Sequence, residues 1–184
     1  MKIIFLLILA IYCHSGFSQD CSSINTEINS NYSYTNSIED LEMPLNEDWN
    51  IVLENKNAVL VFMKNDSEQA SAGIMKNKNG YYIKSAHDIN DRLIDQLIAK
   101  MGINLENRML KNVKLKNIPA KLIIYNHKVY NLDDTHLMSG IMYMIVNDGY
   151  TYVFTFNTTR SLRNCYIPLF QNIIKNTYFG PEWY

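Results

Sequence analysis

Three side chains of metal-binding type lie close together in the second half of the chain: Asp133, Asp134 and His136. Carboxylate oxygens and imidazole nitrogens are ligands for calcium and zinc, but a site needs several of them converging on one point. Aspartate also favours turns, so we interpret this stretch as a solvent-exposed acidic loop. A metal-dependent enzyme centred on these residues is the less favoured alternative, and we expect no metal or cofactor.

A nucleophile set of Ser139, His136 and Asp133 is a weaker hypothesis, because triads are recognised by geometry rather than by nearness in sequence. The sequence also has no glycine-rich phosphate loop and no Cys-x-x-Cys, His-Glu-x-x-His or Gly-x-Ser-x-Gly motif. We therefore assign no catalytic residue and predict that the protein is not an enzyme.

The first residues predict export. A positive residue precedes an unbroken apolar run at residues 3–12, and Gly16 and Ser18 are small, as a signal peptidase requires. Residues 1–18 therefore form a predicted signal peptide that is cleaved between Ser18 and Gln19. The apolar run is too short for a membrane anchor, since a spanning helix needs about 20 apolar residues. We expect a periplasmic or secreted protein with no membrane span after cleavage.

Two cysteines remain after this cleavage, Cys21 and Cys165. An even pair in an oxidising compartment favours a disulfide. The alternatives are a reactive thiol at Cys165 and two free buried thiols. The bridge would hold a polar N-terminal arm, residues 19–36, which we expect to be loose or to form a short helix.

Length and charge limit the function classes. The chain has 184 residues and a net charge of −1, with no run of lysine and arginine. Nucleic-acid binding therefore has little support. We find no linker or internal repeat, and we predict one domain over residues 37–184.

A β-hairpin organises the predicted fold. Asp148-Gly149 separates two β-rich runs, and glycine tolerates the positive φ that tight hairpin turns require. Both faces of the runs at 141–146 and 150–156 are largely apolar, which predicts a sheet covered on each side. Further strands are predicted at 37–43, 49–53, 58–64, 71–75 and 107–116.

Two helices are predicted to flank this sheet. The first covers residues 86–101, with Ser85 as N-cap and Gly102 after its end. Its apolar stripe has helical spacing: Ile89, Leu93, Leu97 and Met101. The second covers residues 168–178, because proline is tolerated in a first turn. The predicted class is α+β, with one antiparallel sheet of about five to seven strands.

Four stretches resemble the PsbP-like family. Met43-Pro44 followed by Trp49 is similar to the family's Pro-x-x-Trp, and residues 113–125 resemble its paired strands around a short turn. Residues 150–156 resemble its penultimate strand, and residues 166–174 its final helix. The resemblance covers roughly residues 38–179.

The resemblance implies an α/β/α sandwich and a binding function. Members of the family include an extrinsic subunit of the photosynthetic oxygen-evolving complex, a Ran-binding nuclear transport factor, the DcrB lipoproteins and chaperones that load type VI secretion effectors. They share binding to other proteins rather than a reaction, so no catalytic residue is carried over. The resemblance therefore implies an exported binding module with a protein or peptide partner. The alternative is a binder of an apolar small ligand or lipid, held between the sheet and the first helix.

Overall fold

The structure is a computed structural model that describes residues 21–22, 24–25, 27–53, 59–65, 69–80, 82–100, 103–130 and 135–184. Within these ranges the chain forms two antiparallel sheets and two α-helices. The strands are β1 (Asn29–Asn36), β2 (Leu41–Leu45), β3 (Trp49–Leu53), β4 (Val59–Asn65), β5 (Ala70–Lys78), β6 (Asn104–Leu115), β7 (Ile118–Tyr130), β8 (Thr135–Asn147), β9 (Tyr150–Thr159) and β10 (Tyr178–Phe179). The helices are α1 (Asp91–Lys100) and α2 (Arg163–Asn176).

The large sheet has seven strands in the order β3-β4-β5-β9-β8-β7-β6, and every neighbouring pair is antiparallel. This confirms the predicted α+β class with an antiparallel sheet flanked by helices. A second sheet, β1-β2-β10, was not predicted. Its strand β1 shows that the prediction of a loose or helical arm is wrong for Asn29–Asn36. The strand predicted at 37–43 begins later, because residues 37–40 form the turn between β1 and β2.

The turn between β8 and β9 has the predicted geometry. Asp148 has φ 44° and Gly149 has φ 73°, and positive φ at both central residues is typical of a type I′ hairpin turn. This turn sets the register in which Tyr150 faces Asn147, and the same register runs without a shift to the pair of Met138 and Thr159.

Each face of the large sheet carries a separate apolar layer. On one face Phe154 and Phe156 pack with α2, and the rings of Phe156 and Phe170 are stacked 4.9 Å apart. On the other face Met142 and Met144 are fully buried in a cluster with residues of α1. The prediction of a sheet covered on both sides is therefore confirmed.

The first predicted helix is interrupted. Residues Ala86–Asp88 form a 3-10 turn with the expected capping box: the Ser85 hydroxyl accepts from the His87 amide at 3.2 Å, and Asp88 accepts from the Ser85 amide at 2.8 Å. The chain is then extended, and the Asn90 side chain accepts from the Leu93 amide at 3.0 Å. Because Asn90 is a second cap, α1 starts only at Asp91, and a continuous helix over 86–101 is wrong. Met101 and Gly102 lie outside the described residues.

The second helix begins earlier than predicted. It starts at Arg163 and contains Pro168 in its interior. Cys165 and Tyr166 are buried on the same side as Leu169, so one additional turn of apolar side chains packs on the sheet. Tertiary packing therefore outweighs the missing amide of proline. Within the part of the chain that the structure describes, neither helix is both long and apolar enough to cross a membrane.

Leu97 tests the packing of α1 on the sheet. Its side chain is 5% exposed, so Leu97→Ala should lower the free energy of unfolding by about 2–5 kcal/mol. The measurement is urea unfolding, with Gln96→Ala at the neighbouring exposed position as the matched control. Equal unfolding midpoints for Leu97→Ala and the parent chain would contradict this packing.

Candidate functional site

The described residues of the acidic stretch do not support the weaker hypothesis of a nucleophile set. Asp133 and Asp134 lie outside them, as do Ser18 and Gln19 at the predicted cleavage site. His136 and Ser139 are three residues apart on β8, so their side chains leave opposite faces of the sheet. The Ser139 hydroxyl is buried and donates to the Asn126 amide oxygen at 2.6 Å. Within the described ranges, no three His, Cys, Asp or Glu side chains are grouped as a metal site.

Cys21 and Cys165 are joined by a disulfide, with their Cα atoms 5.6 Å apart. This separation lies in the normal range for disulfides. The bond links the N-terminal part of the described chain to the first turn of α2.

A nearly buried carboxylate connects the two sheets. Glu39 lies in the turn between β1 and β2, and its side chain is 9% exposed. It accepts from the Lys76 ammonium at 2.6 Å and from the Tyr152 hydroxyl. Burial first, and the Glu39 hydrogen bond second, raise the pKa of the Tyr152 hydroxyl. The main-chain carbonyl of Glu39 accepts from the Trp183 indole at 2.8 Å, so the same turn also holds the C-terminal segment.

The C-terminal aromatic residues have different surroundings. Trp183 is buried, and its ring centroid lies 4.4 Å from that of Tyr152, whereas Tyr184 is 63% exposed. The amide of Gly180 donates to the Asp40 carbonyl at 2.8 Å, and a Cβ at Gly180 would overlap the Asp40 side chain. A glycine is therefore required at position 180, where the chain passes close to Asp40 just before Trp183.

A cleft of about 680 Å³ lies at the end of the large sheet where the β8–β9 turn is located. We name it the turn-end cleft. Its lining comes from the end of β5, the start of β7, the β8–β9 turn, the Ser85 region and the C-terminal segment. Apolar lining residues include Ile83, Ile118, Pro119, Val146 and Trp183. Its charged lining residues, Lys78, Lys84 and Asp148, are exposed.

A smaller cavity of about 280 Å³ adjoins the cleft, and we name it the asparagine pocket. The two cavities share four lining residues: Lys78, Asn79, Gly80 and Ile83. The pocket is also lined by Asn77 and Thr151 of the sheet and by Leu93 and Leu97 of α1. The Thr151 hydroxyl donates to the Asn79 side-chain oxygen at 2.5 Å. The amide nitrogens of both asparagine side chains are buried, and neither has a hydrogen-bond partner among the described residues.

A third polar group of residues is part of the packed sheet. The Tyr125 hydroxyl donates to the Asn157 side-chain oxygen at 2.7 Å, and burial raises the pKa of this tyrosine. A Cβ at Gly140 would lie 2.5 Å from the Tyr125 ring, so only glycine fits beneath it. His127 contacts the same ring, and burial lowers the pKa of its imidazole, with a smaller opposing effect of the Asn157 side chain. The close packing assigns these residues a structural role.

Glu39, Asn77 and Asn79 could not be identified as site residues from the sequence. The residues at 77–80 have turn-forming types, and their composition does not reveal that two of their amides are buried. Glu39 gives no local signal, because its partners Lys76 and Tyr152 are 37 and 113 residues away.

Comparison with solved structures confirms the PsbP-like fold. PsbP (CyanoP) from Synechocystis sp. PCC 6803 is similar with a TM-score of 0.60 and 12% identity, over 81% of this chain and 92% of that chain. The Ran-binding protein Mog1p from Saccharomyces cerevisiae is similar with a TM-score of 0.55 and 7% identity, over 83% and 96%. No protein-family model matches the sequence, and the comparison with curated proteins gives no significant match. Likeness at such low identity shows the fold alone.

The buried histidine makes stability depend on pH. The folded pKa of His127 lies below its ordinary value of 6.5, so the unfolded chain takes up a proton at higher pH than the folded chain. The contribution of the neutral His127 imidazole to stability is therefore complete above pH 6.5, the ordinary pKa of histidine. This contribution is lost as the pH falls towards the pKa of His127 in the folded chain. We expect the free energy of unfolding to decrease between about pH 7.5 and about pH 5.5.

The measurement is urea unfolding across this pH range. His127→Gln should reduce the slope, whereas His87→Gln, at an exposed position, should retain it. An unchanged slope in His127→Gln would contradict the assignment.

Proposed function

We propose that the protein is an exported, non-enzymatic binding module whose domain, residues 37–184, holds a protein or peptide partner in the turn-end cleft. Export is supported by the signal-peptide pattern of residues 1–18 and by the Cys21–Cys165 disulfide. Disulfides persist in oxidising compartments such as the periplasm or the medium.

The turn-end cleft is the main structural support for this function. Its volume of about 680 Å³ lies within the range of ligand-binding cavities, about 300–1,000 Å³. Ile118 and Trp183 are buried in the main core and also line the cleft, so these walls are fixed before a partner arrives. A preformed apolar cleft suits side chains of an extended segment, because little ordering of the protein is needed on binding.

The chemistry of the cleft favours binding over catalysis. Its ionisable side chains among the described residues are Lys78, Lys84, Asp148 and Tyr184, and all four are exposed. General acid–base catalysis needs groups held within hydrogen-bond reach of a substrate and with tuned pKa values. The most buried carboxylate described above, Glu39, is instead occupied by Lys76 and Tyr152.

The fold offers a supporting analogy. Mog1p, a Ran-binding protein, has this fold at 7% identity to the present chain, which supports a protein partner here. Such an analogy supports a class of function and identifies no partner.

The apolar-ligand alternative has less support between α1 and the sheet. Met142, Met144 and Ile94 are fully buried there, so the methionines act as core packing. The cavity at this interface, the asparagine pocket, has polar groups in its lining.

A displayed peptide library provides the test. The library presents both internal segments and free carboxyl termini to the exported chain. Enriched peptides are then titrated into a Trp49→Phe variant, in which Trp183 is the remaining tryptophan. Binding in the cleft should change the Trp183 fluorescence, because this side chain is part of the lining.

Two charge-matched variants locate the site. Pro119→Asp places a charge in the cleft lining and should weaken binding about tenfold or more. Leu137→Asp introduces the same charge at an exposed position near the opposite end of the sheet and should leave affinity unchanged. Enriched peptides that lose affinity only with Leu137→Asp, or equally with both variants, would place the site elsewhere. A library that yields no binder would contradict a peptide partner.

A further inference from the structure

Two residues that line the asparagine pocket carry buried hydrogen-bond donors with no partner among the described residues. Asn77 lies near the end of β5, and Asn79 follows it by two residues. The side-chain amide nitrogens of both are buried without a partner among the described residues. Leaving a buried donor unpaired costs free energy, and most buried polar groups in proteins are therefore paired. Two unpaired donors in one cavity indicate a place where a ligand supplies the acceptors.

The surrounding contacts hold these donors in position. The Thr151 hydroxyl donates to the Asn79 side-chain oxygen at 2.5 Å, which turns the amide nitrogen away from that contact. The main-chain amide of Asn79 donates to the Gly149 carbonyl at 2.8 Å. Asn77 lies opposite Thr151 in the β5–β9 ladder. Both asparagines are thus attached to the rigid sheet and its hairpin turn.

The charge of the lining favours an anionic acceptor. Lys78, an exposed residue at the end of β5, is the charged residue in the described lining of the asparagine pocket and also lines the turn-end cleft. The acidic residue among the described lining residues of the two cavities is Asp148, which lines the cleft and not the pocket. Two amide donors match the two oxygens of a carboxylate, and a positively charged residue in the lining favours its negative charge.

The neighbouring surfaces require an apolar body on the same ligand. Leu93 and Leu97 form part of the pocket wall, and Ile83 belongs to the lining of both cavities. A ligand with its carboxylate in the pocket therefore continues directly into the apolar turn-end cleft.

We propose that the asparagine pocket binds the terminal carboxylate of an apolar chain whose remaining part lies in the turn-end cleft. In a peptide partner this group is the free carboxyl terminus, and in that form the inference rests on the function proposed above. A free apolar acid carries the same chemistry, and the test separates the two sources.

The experiment compares acids with their amides. Peptides enriched against the exported chain are synthesised with a free carboxyl terminus and as carboxyl-terminal amides, and octanoate is compared with octanamide. Affinity is measured by titration of Trp183 fluorescence in the Trp49→Phe background. The acid should bind about tenfold or more tightly than the amide, the change expected from about 1.4 kcal/mol.

Three variants connect this preference to the pocket. Asn79→Asp keeps an oxygen for Thr151 but removes the donor, and Asn77→Leu removes the other donor at similar size. Both should abolish the preference for the acid. Asn172→Asp adds the same charge at an exposed position on α2 and should preserve it. Asn77→Leu should also unfold at an unchanged or higher temperature, because it removes a buried unpaired donor.

The outcomes distinguish the inference from the proposed function. Peptides that bind in the cleft with equal affinity as acid and amide overturn the carboxylate pocket and leave the peptide-binding function standing. Octanoate binding that is lost in Asn79→Asp, without binding of any peptide, supports the pocket and contradicts the peptide partner. Acid binding that is equally strong in Asn79→Asp and the parent chain overturns the inference, whichever source is used.

Discussion

The Glu39 carboxylate is the contact on which the arrangement of the two sheets depends. A carboxylate that is 9% exposed needs compensation for its lost hydration, and Lys76 and Tyr152 provide it with a charge and a hydroxyl. These partners belong to β5 and β9, in the middle of the large sheet. Since the carbonyl of the same residue binds the Trp183 indole, one turn joins the small sheet, the large sheet and the C-terminal segment.

The turn-end cleft follows from this arrangement. Trp183 becomes a wall of the cleft because the Glu39 turn and the Tyr152 ring hold it over the end of the sheet. The opposite part of the lining is fixed independently, by the capping box at Ser85 and by the hydrogen bond from the Asn79 amide to the Gly149 carbonyl. Walls that are fixed by the fold itself reduce the ordering cost of binding, and they also keep the donors of the asparagine pocket in place.

Local patterns predicted the elements, and distant contacts decided their limits. The hairpin turn at Asp148-Gly149 and the burial of Leu97 in α1 were predictable, because turn residues and helical spacing are local patterns. The continuation of α2 through Pro168 was not predictable, since it depends on packing against strands that are remote in sequence. The same holds for the site: Asn77 and Asn79 have the composition of a turn, and only the folded arrangement beside α1 buries their amides.

A binding surface formed by the turn-end cleft and the asparagine pocket can be tested by NMR. Chemical-shift changes are mapped in the labelled protein as a selected peptide is added. We expect the largest changes at the methyl groups of Ile83 and Ile118, the Trp183 indole and the Asn79 side-chain amide. Changes confined to the edge strand β6, with these groups unaffected, would place the binding surface elsewhere.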